Sequence, residues 1–236
     1  MSETTAFQRV WNDAHVVHSY EADARGLLRV SALCGYFQEA AWRHAEHLGL
    51  GYAHMSAANR AWVMARLWLR LEAPIHWGDG LTVRTWPSDR ERATCLRDFD
   101  ILDPTGQRLA LGSSTWFVLD AATRRPVPTA SFYDPHIPIS ARHDPAHPAK
   151  IPALAALEWH ETIRPYYSDL DVNGHVNNTR YVDWAVYGFD AAFHDTHRLA
   201  ELEINFLAES RCGETLRLGR ERVDGGGPGE NGDSDE

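Results

Sequence analysis

The chain has 236 residues, of which 44% are hydrophobic and 11% aromatic, so it can bury the core of one large domain or two small ones. Its formal net charge is −10, and the acidic C-terminal tail contributes half of that charge. The sequence has no dense stripe of basic residues, which excludes nucleic acid as a partner. No apolar run is long enough to span a membrane, the polar start has no signal-peptide core, and three scattered cysteines suit a reducing compartment, so a cytoplasmic location is expected.

The first half of the chain predicts one long helix among strands. A strand over 13–20 precedes a helix that Ser31 caps and that reaches Leu48, where Gly49 ends it. Its apolar residues recur at helical spacing, and His44 among them is expected to be packed rather than catalytic. Four strands are then predicted, at Ala61–Glu72, Leu81–Trp86, Ala93–Leu102 and Arg108–Asp120. A long helix followed by an antiparallel meander indicates a sheet curled around that helix, an α+β arrangement.

A proline-rich connector at residues 123–157 separates the two halves and shows no hydrophobic periodicity. His143 and His147 within it have the i, i+4 spacing of a metal-binding pair on a helix. The prolines around them disfavour that helix, so no metal site is predicted.

The second half repeats the plan of the first. It predicts a strand, a polar loop, a helix and two more strands, at Glu158–Tyr166, 167–178, Thr179–Phe193, Leu199–Ala208 and Thr215–Val223. The helix should bury one face that carries Val182, Ala185, Val186, Phe189 and Phe193. Only two strands follow this helix, against four in the first half, so the second half is expected to lack its last strands.

The polar loop distinguishes the second half from the first. Asp171, Asn173 and His175 stand there at alternate positions, Glu209 follows a later strand, and the first half has no matching set. In an extended loop the three side chains would project to one side, beside the positive end of a helix that Asn177 or Asn178 caps. Such a site can accept a proton and polarise a carbonyl. An Asp-x-Asn-Gly turn without a chemical role also fits these residues.

The stretch from Asp169 to Asn178 resembles the active-site motif of acyl-acyl carrier protein thioesterases, the plant fatty acyl chain terminators and their bacterial relatives. The resemblance covers roughly Asp13–Arg222 and includes Gln38-Glu39-Ala40-Ala41, Trp62-Val63-Met64-Ala65-Arg66, Trp77-Gly78-Asp79, Trp86, Trp116 and Thr123-Arg124-Arg125. It implies a tandem (double) hot-dog fold, in which each half is an antiparallel sheet wrapped around one long helix. It also implies a catalytic set of Asp171, Asn173, His175 and Glu209.

The domain plan that follows has five parts. They are an N-terminal tail at 1–12, a first hot-dog with the acyl-chain pocket at 13–122, the connector at 123–157, a catalytic but incomplete second hot-dog at 158–223, and a disordered acidic tail at 224–236.

The activity that the resemblance implies is hydrolysis of fatty acyl-acyl carrier protein to free fatty acid and carrier protein, which ends fatty acid synthesis. The enzyme would be a thioester hydrolase of the EC 3.1.2 class, without a cofactor or a metal, and its partner would be the acyl carrier protein. An acyl-CoA thioesterase of the same fold and a non-catalytic acyl-binding hot-dog protein are alternatives. Formation of a homodimer is left open. A hot-dog dehydratase would need a His-Phe-Pro-Gly type loop, which His175–Asn178 does not match.

Thioester hydrolysis needs an activated water and a stabiliser of the oxyanion. Glu209 or His175 is expected to activate the water, Asp171 to orient its neighbours and Asn173 to position the substrate or the water. The thioester carbonyl would be polarised by the backbone amides at the start of the second helix, those of Asn177 and Asn178.

A cysteine mechanism is the alternative chemistry. Plant members of the family carry a cysteine directly after the glutamate, where this chain has Ser210. The nearest thiol is that of Cys212, which would act with His175 and Asn173.

The acyl chain is expected to enter an apolar tunnel between the helix and the sheet of the first half. Its candidate lining, each member of which also fits a plain core, is Leu33, Phe37, Val63, Leu67 and Trp116. Arg124 and Arg125 are candidates for contact with the acidic carrier protein, although exposed arginines are commonly just solvated.

Overall fold

The computed structural model describes residues 7–143, 148–154 and 158–222. In chain order the elements are β1 (Trp11–Val16), α1 (Val30–His47), α2 (Tyr52–Ala57), β2 (Arg60–Leu71), β3 (Gly80–Arg90), β4 (Thr94–Leu102), β5 (Arg108–Asp120), β6 (Glu158–Ile163), α3 (Asn178–Tyr187), α4 (Ala191–Thr196), β7 (Glu201–Asn205) and β8 (Leu216–Arg220). No helix in these ranges is both long and apolar enough to cross a membrane.

The strands form two antiparallel sheets of unequal size. The larger has the order β1-β3-β4-β5-β2-β7, and the smaller pairs β6 with β8. The long helix α1 packs its buried face against the larger sheet, and residues of α1, β2, β3 and β4 share one core. The predicted α+β arrangement is therefore confirmed, and the second sheet is small, as the short second half led us to expect.

The helix α1 begins before the predicted cap. Arg29 is the N-cap residue, with an extended backbone, so Ser31 lies inside the first turn and the prediction of a Ser31 cap was wrong. Tertiary hydrogen bonds hold the approach in place, since the N–H of Arg29 donates to the carbonyl of Glu21 and that of Leu28 to the carbonyl of Ile75. The predicted ending is confirmed, because Gly49 has the positive φ (72°) of a helix C-terminus.

A β-bulge in β2 changes which residues face α1. The register of β2 against β5 shifts between Met64 and Arg66, so the alternation is broken at that point. Met64 and Leu67 pair with residues two apart on β5 and share the inner face, whereas Val63 pairs with Phe117 and lies on the opposite face. The prediction that Val63 lines the interior beside Leu67 was therefore wrong.

The predicted second helix is two helices. α3 ends at Tyr187 with Gly188 as its C-cap, and Asp190 caps α4 by accepting from the N–H of Phe193 at 2.8 Å. Val182 is buried against the first-half core, but Phe189 and Phe193 are exposed, so the single buried face extends less far than predicted. Cap residues in mid-segment outweighed the apolar periodicity there.

The strand β7 joins the sheet of the first half. It pairs with β2 from Arg66↔Asn205 to Arg70↔Glu201, and the N–H of Phe206 continues the contact by donating to the carbonyl of Ala65. The pairing covers the outer edge of β2 and carries the chain that follows β7, with Glu209, toward the turn after β5.

The described part of the connector is hydrogen-bonded to β3 and β4 of the larger sheet. His143 donates its backbone N–H to the buried carboxylate of Asp98 at 2.7 Å, and Trp86 donates to the carbonyl of Ala141 at 2.9 Å. The ring of His143 lies 3.0 Å from the carbonyl oxygen of Phe99. His147, its predicted pairing partner, lies outside the described residues.

Candidate active site

The loop before α3 is a tight turn rather than an extended segment. The Asp171 carboxylate accepts from the backbone N–H of Asn173 at 2.8 Å and of His175 at 3.3 Å, and the N–H of Asp171 donates to the carbonyl of His175. Gly174 adopts a φ of 76° that favours glycine. The expectation that three side chains project to one side of an extended loop was wrong, and Asp171 acts on its own loop.

The turn presents His175 to Glu209. The two loops are joined where the N–H of Val176 donates to the carbonyl of Ser210 at 2.8 Å. Nε2 of His175 then lies 3.3 Å from Oε2 of Glu209, with both side chains half-buried. Two of the four predicted catalytic residues are thus in direct contact, and Asp171 supports one of them through the backbone.

The second oxygen of Glu209 pairs with Arg124, a residue for which sequence reasoning proposed a different role. The guanidinium of Arg124 donates to Oε1 of Glu209. That hydrogen bond lowers the pKa of Glu209; burial acts in the opposite direction, and the charges of His175, Arg124 and Arg211 lower the pKa further. Glu209 is therefore an anion at neutral pH, held between two basic side chains.

Asn173 stands apart from this pair. It lies at the exposed tip of the turn, and its side-chain nitrogen is 3.5 Å from Oδ2 of Asp171. Within the part of the chain that the structure describes, no hydrogen bond joins Asn173 to His175 or Glu209. Its exposed position leaves the side chain accessible to a substrate that approaches from solvent.

The start of α3 has one backbone amide without an acceptor in the part of the chain that the structure describes. The side-chain oxygen of Asn177 caps the helix by accepting from the N–H of Thr179 at 2.9 Å, as the sequence led us to expect. The N–H of Asn177 donates to the carbonyl of Asp169, so it is not free to bind an oxyanion in this conformation. The N–H of Asn178 has no acceptor among the described residues. A polar cavity of about 240 Å³ opens beside it, lined by Gly35, Gln38, Glu39, Asn177 and Thr179.

The cysteine alternative has no contact to support it. Cys212 is exposed, and among the described residues no hydrogen bond joins it to His175 or Asn173. The other two cysteines, Cys34 and Cys95, are buried, and burial raises the pKa of each thiol to about 12. They stay protonated at neutral pH and are poor nucleophiles.

The remaining candidates divide by burial. Leu33, Phe37 and Leu67 are buried in the core between α1 and the larger sheet, and Trp116 is half-buried at its border.

Arg125 is exposed, and its side chain has no partner in the described part of the chain. The contact of Arg124 with Glu209 was missed because the two residues are 85 positions apart in the chain and no local pattern links them.

Two family models match the chain. The model of the acyl-ACP thioesterase N-terminal domain matches residues 8–132, and that of the acyl-ACP thioesterase C-terminal domain matches residues 155–225. Among curated relatives, an acyl-[acyl-carrier-protein] hydrolase of Cuphea viscosissima is 28% identical over 228 residues, which are 90% of this chain and 55% of the relative. A palmitoyl-acyl carrier protein thioesterase of Arabidopsis thaliana is 28% identical over 212 residues, 84% of this chain and 51% of the relative. The chain spans about half the length of these relatives.

Solved structures show the same fold. An acyl-ACP thioesterase from Bacteroides thetaiotaomicron superimposes with a TM-score of 0.76 at 26% identity, covering 92% of this chain and 87% of the other. A 12:0-ACP thioesterase from Umbellularia californica gives a TM-score of 0.74 at 23% identity, covering 91% of this chain and 86% of the other, and supports the fold alone. The predicted double hot-dog fold class is confirmed.

Proposed function

Because this chain belongs to the acyl-ACP thioesterase family, we propose that it hydrolyses a fatty acyl-acyl carrier protein to a free fatty acid and the carrier protein, ending fatty acid synthesis. The observation that carries the proposal is the contact between His175 and Glu209 across two loops. An imidazole paired with an ionised carboxylate is the arrangement that activates water in acyl transfer.

The geometry favours His175 as the base. Its Nε2 faces Glu209, which leaves Nδ1 without a partner among the described residues and available to accept a proton. Water attacks the thioester carbon while Nδ1 takes one of its protons, and Glu209 stabilises the imidazolium that forms. When the tetrahedral intermediate collapses, the C–S bond breaks and the imidazolium returns the proton to the leaving thiolate. The products are a carboxylic acid and the carrier thiol.

The other residues of the loop support this chemistry. Asp171 holds the turn that aims His175. The amide of Asn178, at the positive end of α3, polarises the thioester carbonyl, because its N–H has no acceptor among the described residues whereas that of Asn177 donates to the carbonyl of Asp169. Asn173, at the exposed tip, positions the incoming substrate.

In this proposal the two halves have different roles, acyl-chain binding in the first and catalysis in the second. The first, residues 13–122, holds the acyl chain between α1 and the sheet, against Leu33, Phe37, Leu67 and Trp116, with Met64 in the place predicted for Val63. The second, residues 158–223, supplies the catalytic loop.

The test is hydrolysis of acyl-carrier-protein and acyl-CoA thioesters, from short to long chains, by the wild type and by Glu209→Ala and His175→Ala. We expect turnover of the carrier-protein substrates and a loss of about a hundredfold or more in each variant, since each removes part of the base. A Cys212→Ala variant should keep full activity. A well-folded wild type that binds acyl thioesters without turning them over would overturn the proposal in favour of an acyl-binding protein.

A further inference from the structure

We propose that Arg124, in the turn after β5, is a positioning residue for Glu209 in the catalytic loop of the second half. The proposal rests on the proposed function, in which Glu209 orients His175. It assigns to Arg124 a role inside the site in place of the carrier contact that its sequence neighbourhood indicated.

The carboxylate of Glu209 is held from two sides. Oε1 accepts from the guanidinium of Arg124, and Oε2 lies 3.3 Å from Nε2 of His175. The terminal torsion of a glutamate is broad, so a carboxylate held by the imidazole alone would rotate among many orientations. A guanidinium presents fixed donors to a carboxylate and restricts that rotation. Arg124 therefore determines which oxygen meets His175.

The backbone of Arg124 is itself fixed. Its φ of 58° lies in the left-handed region that favours glycine. The turn that holds it there is built on Asp120, whose carboxylate accepts from the N–H groups of Ala122 and Thr123 and whose carbonyl accepts from the N–H of Arg124 at 2.8 Å. A non-glycine residue kept in this conformation by its surroundings is a common feature of functional sites. The turn directs Arg124 across to the second half.

Charge supports the same assignment. The charged groups that face Glu209 are Arg124 from the turn after β5, His175 from the loop before α3, and Arg211 from its own loop. Arg124 is the one whose hydrogen bond contributes most to lowering the pKa of Glu209. The adjacent Arg125 sits in the same turn with an exposed side chain and no partner among the described residues, so it provides a matched control of equal charge.

The experiment compares Arg124→Gln, Arg124→Lys and Arg125→Gln with the wild type on two substrates, an acyl carrier protein thioester and the same acyl chain on N-acetylcysteamine, which has no carrier. A positioning role predicts that Arg124→Gln lowers kcat about ten- to a hundredfold on both substrates with little change in KM. Arg124→Lys should recover part of the loss, and Arg125→Gln should leave hydrolysis of the small thioester unchanged. A loss confined to KM for the carrier substrate would assign Arg124 to carrier binding and overturn the proposal.

A second measurement is independent of turnover. The side-chain carboxyl of Glu209 is titrated by carbon-13 NMR in the wild type and in Arg124→Gln, with circular dichroism to confirm the fold. Loss of the guanidinium should raise the pKa of Glu209, and an unchanged titration would overturn the proposal. A wild type without any thioesterase activity would instead refute the proposed function, while the titration still reports whether Arg124 holds Glu209.

Discussion

The imidazole of His175 and the carboxylate of Glu209 lie 3.3 Å apart, Nε2 to Oε2, although they belong to loops on either side of α3, α4 and β7. A backbone hydrogen bond, from the N–H of Val176 to the carbonyl of Ser210, aligns the two loops at this point. The pairing of β7 with β2 positions the loop that carries Glu209. The contact therefore depends on this strand pairing as much as on the loop that carries His175.

The substitution Glu209→Gln removes the charge of the side chain and keeps its size, so it tests the charge of the His175–Glu209 pair alone. Glu209→Gln keeps an oxygen that can accept from His175 but cannot stabilise an imidazolium, so we expect kcat to fall about a hundredfold with KM little changed. Steady-state kinetics on an acyl carrier protein thioester measures both. Glu214→Gln is the control, because Glu214 caps the same loop by accepting from the N–H of Arg211 at 3.0 Å, which glutamine also does. An equal loss in both variants would assign the effect to the loop rather than to the charge.

The turn before α3 should be sensitive to its glycine. Gly174 and Gly106 both have positive φ, 76° and 87°, and an added methyl group at either would meet no atom within 4 Å. Gly174→Ala and Gly106→Ala should therefore each cost about 1 kcal/mol of unfolding free energy through backbone strain alone, measured by urea denaturation. Only Gly174→Ala should also lower kcat, since Gly106 lies in the β4–β5 hairpin. Unchanged kcat in Gly174→Ala would mean that the turn tolerates distortion.

The β-bulge in β2 makes a prediction about chain length. Met64 faces the interior and Val63 the opposite side, so Met64→Phe should narrow the space beside α1 and shift preference toward shorter acyl chains, whereas Val63→Phe should not. Competition between thioesters of graded chain length measures the shift. A shift with Val63→Phe alone would place the acyl chain on the other face of the sheet.

Burial of His44 should make the fold sensitive to acid. Desolvation first, and then the charge of Arg97, lowers the pKa of His44 from 6.5 to about 4. Between these values the unfolded chain binds a proton that the folded chain does not, so stability falls as the pH drops through this window, by about 1–3 kcal/mol. Urea unfolding across this pH range should show a smaller decrease in His44→Gln than in the wild type.

The exposed His54→Gln serves as the control for this titration. It should reproduce the wild-type dependence on pH. An identical slope in all three proteins would mean that other groups cause the acid sensitivity.

Local features of the chain were predictable because they depend on residues within a turn or two of each other. The buried face of α1, with His44 packed inside it, follows from apolar spacing, and β5 has the predicted bounds of Arg108–Asp120. The cap at Asn177 follows from a side chain that accepts from the amide two residues on. The same rules failed where local signals compete, as at Gly188 and Asp190, which end one helix and begin another within an apolar stretch.

By itself the sequence determined the α+β class through hydrophobic periodicity and helix caps, and its resemblance to a known family motif identified His175 and Glu209 as candidates. Only the tertiary structure decided that β7 pairs with β2, that a bulge turns Val63 away from the core, and that Arg124 forms an ion pair with Glu209. The physical reason is that a strand's partner, its register and an ion pair between residues far apart in the chain are set by packing and long-range hydrogen bonds. Those interactions exist only once distant segments have come together.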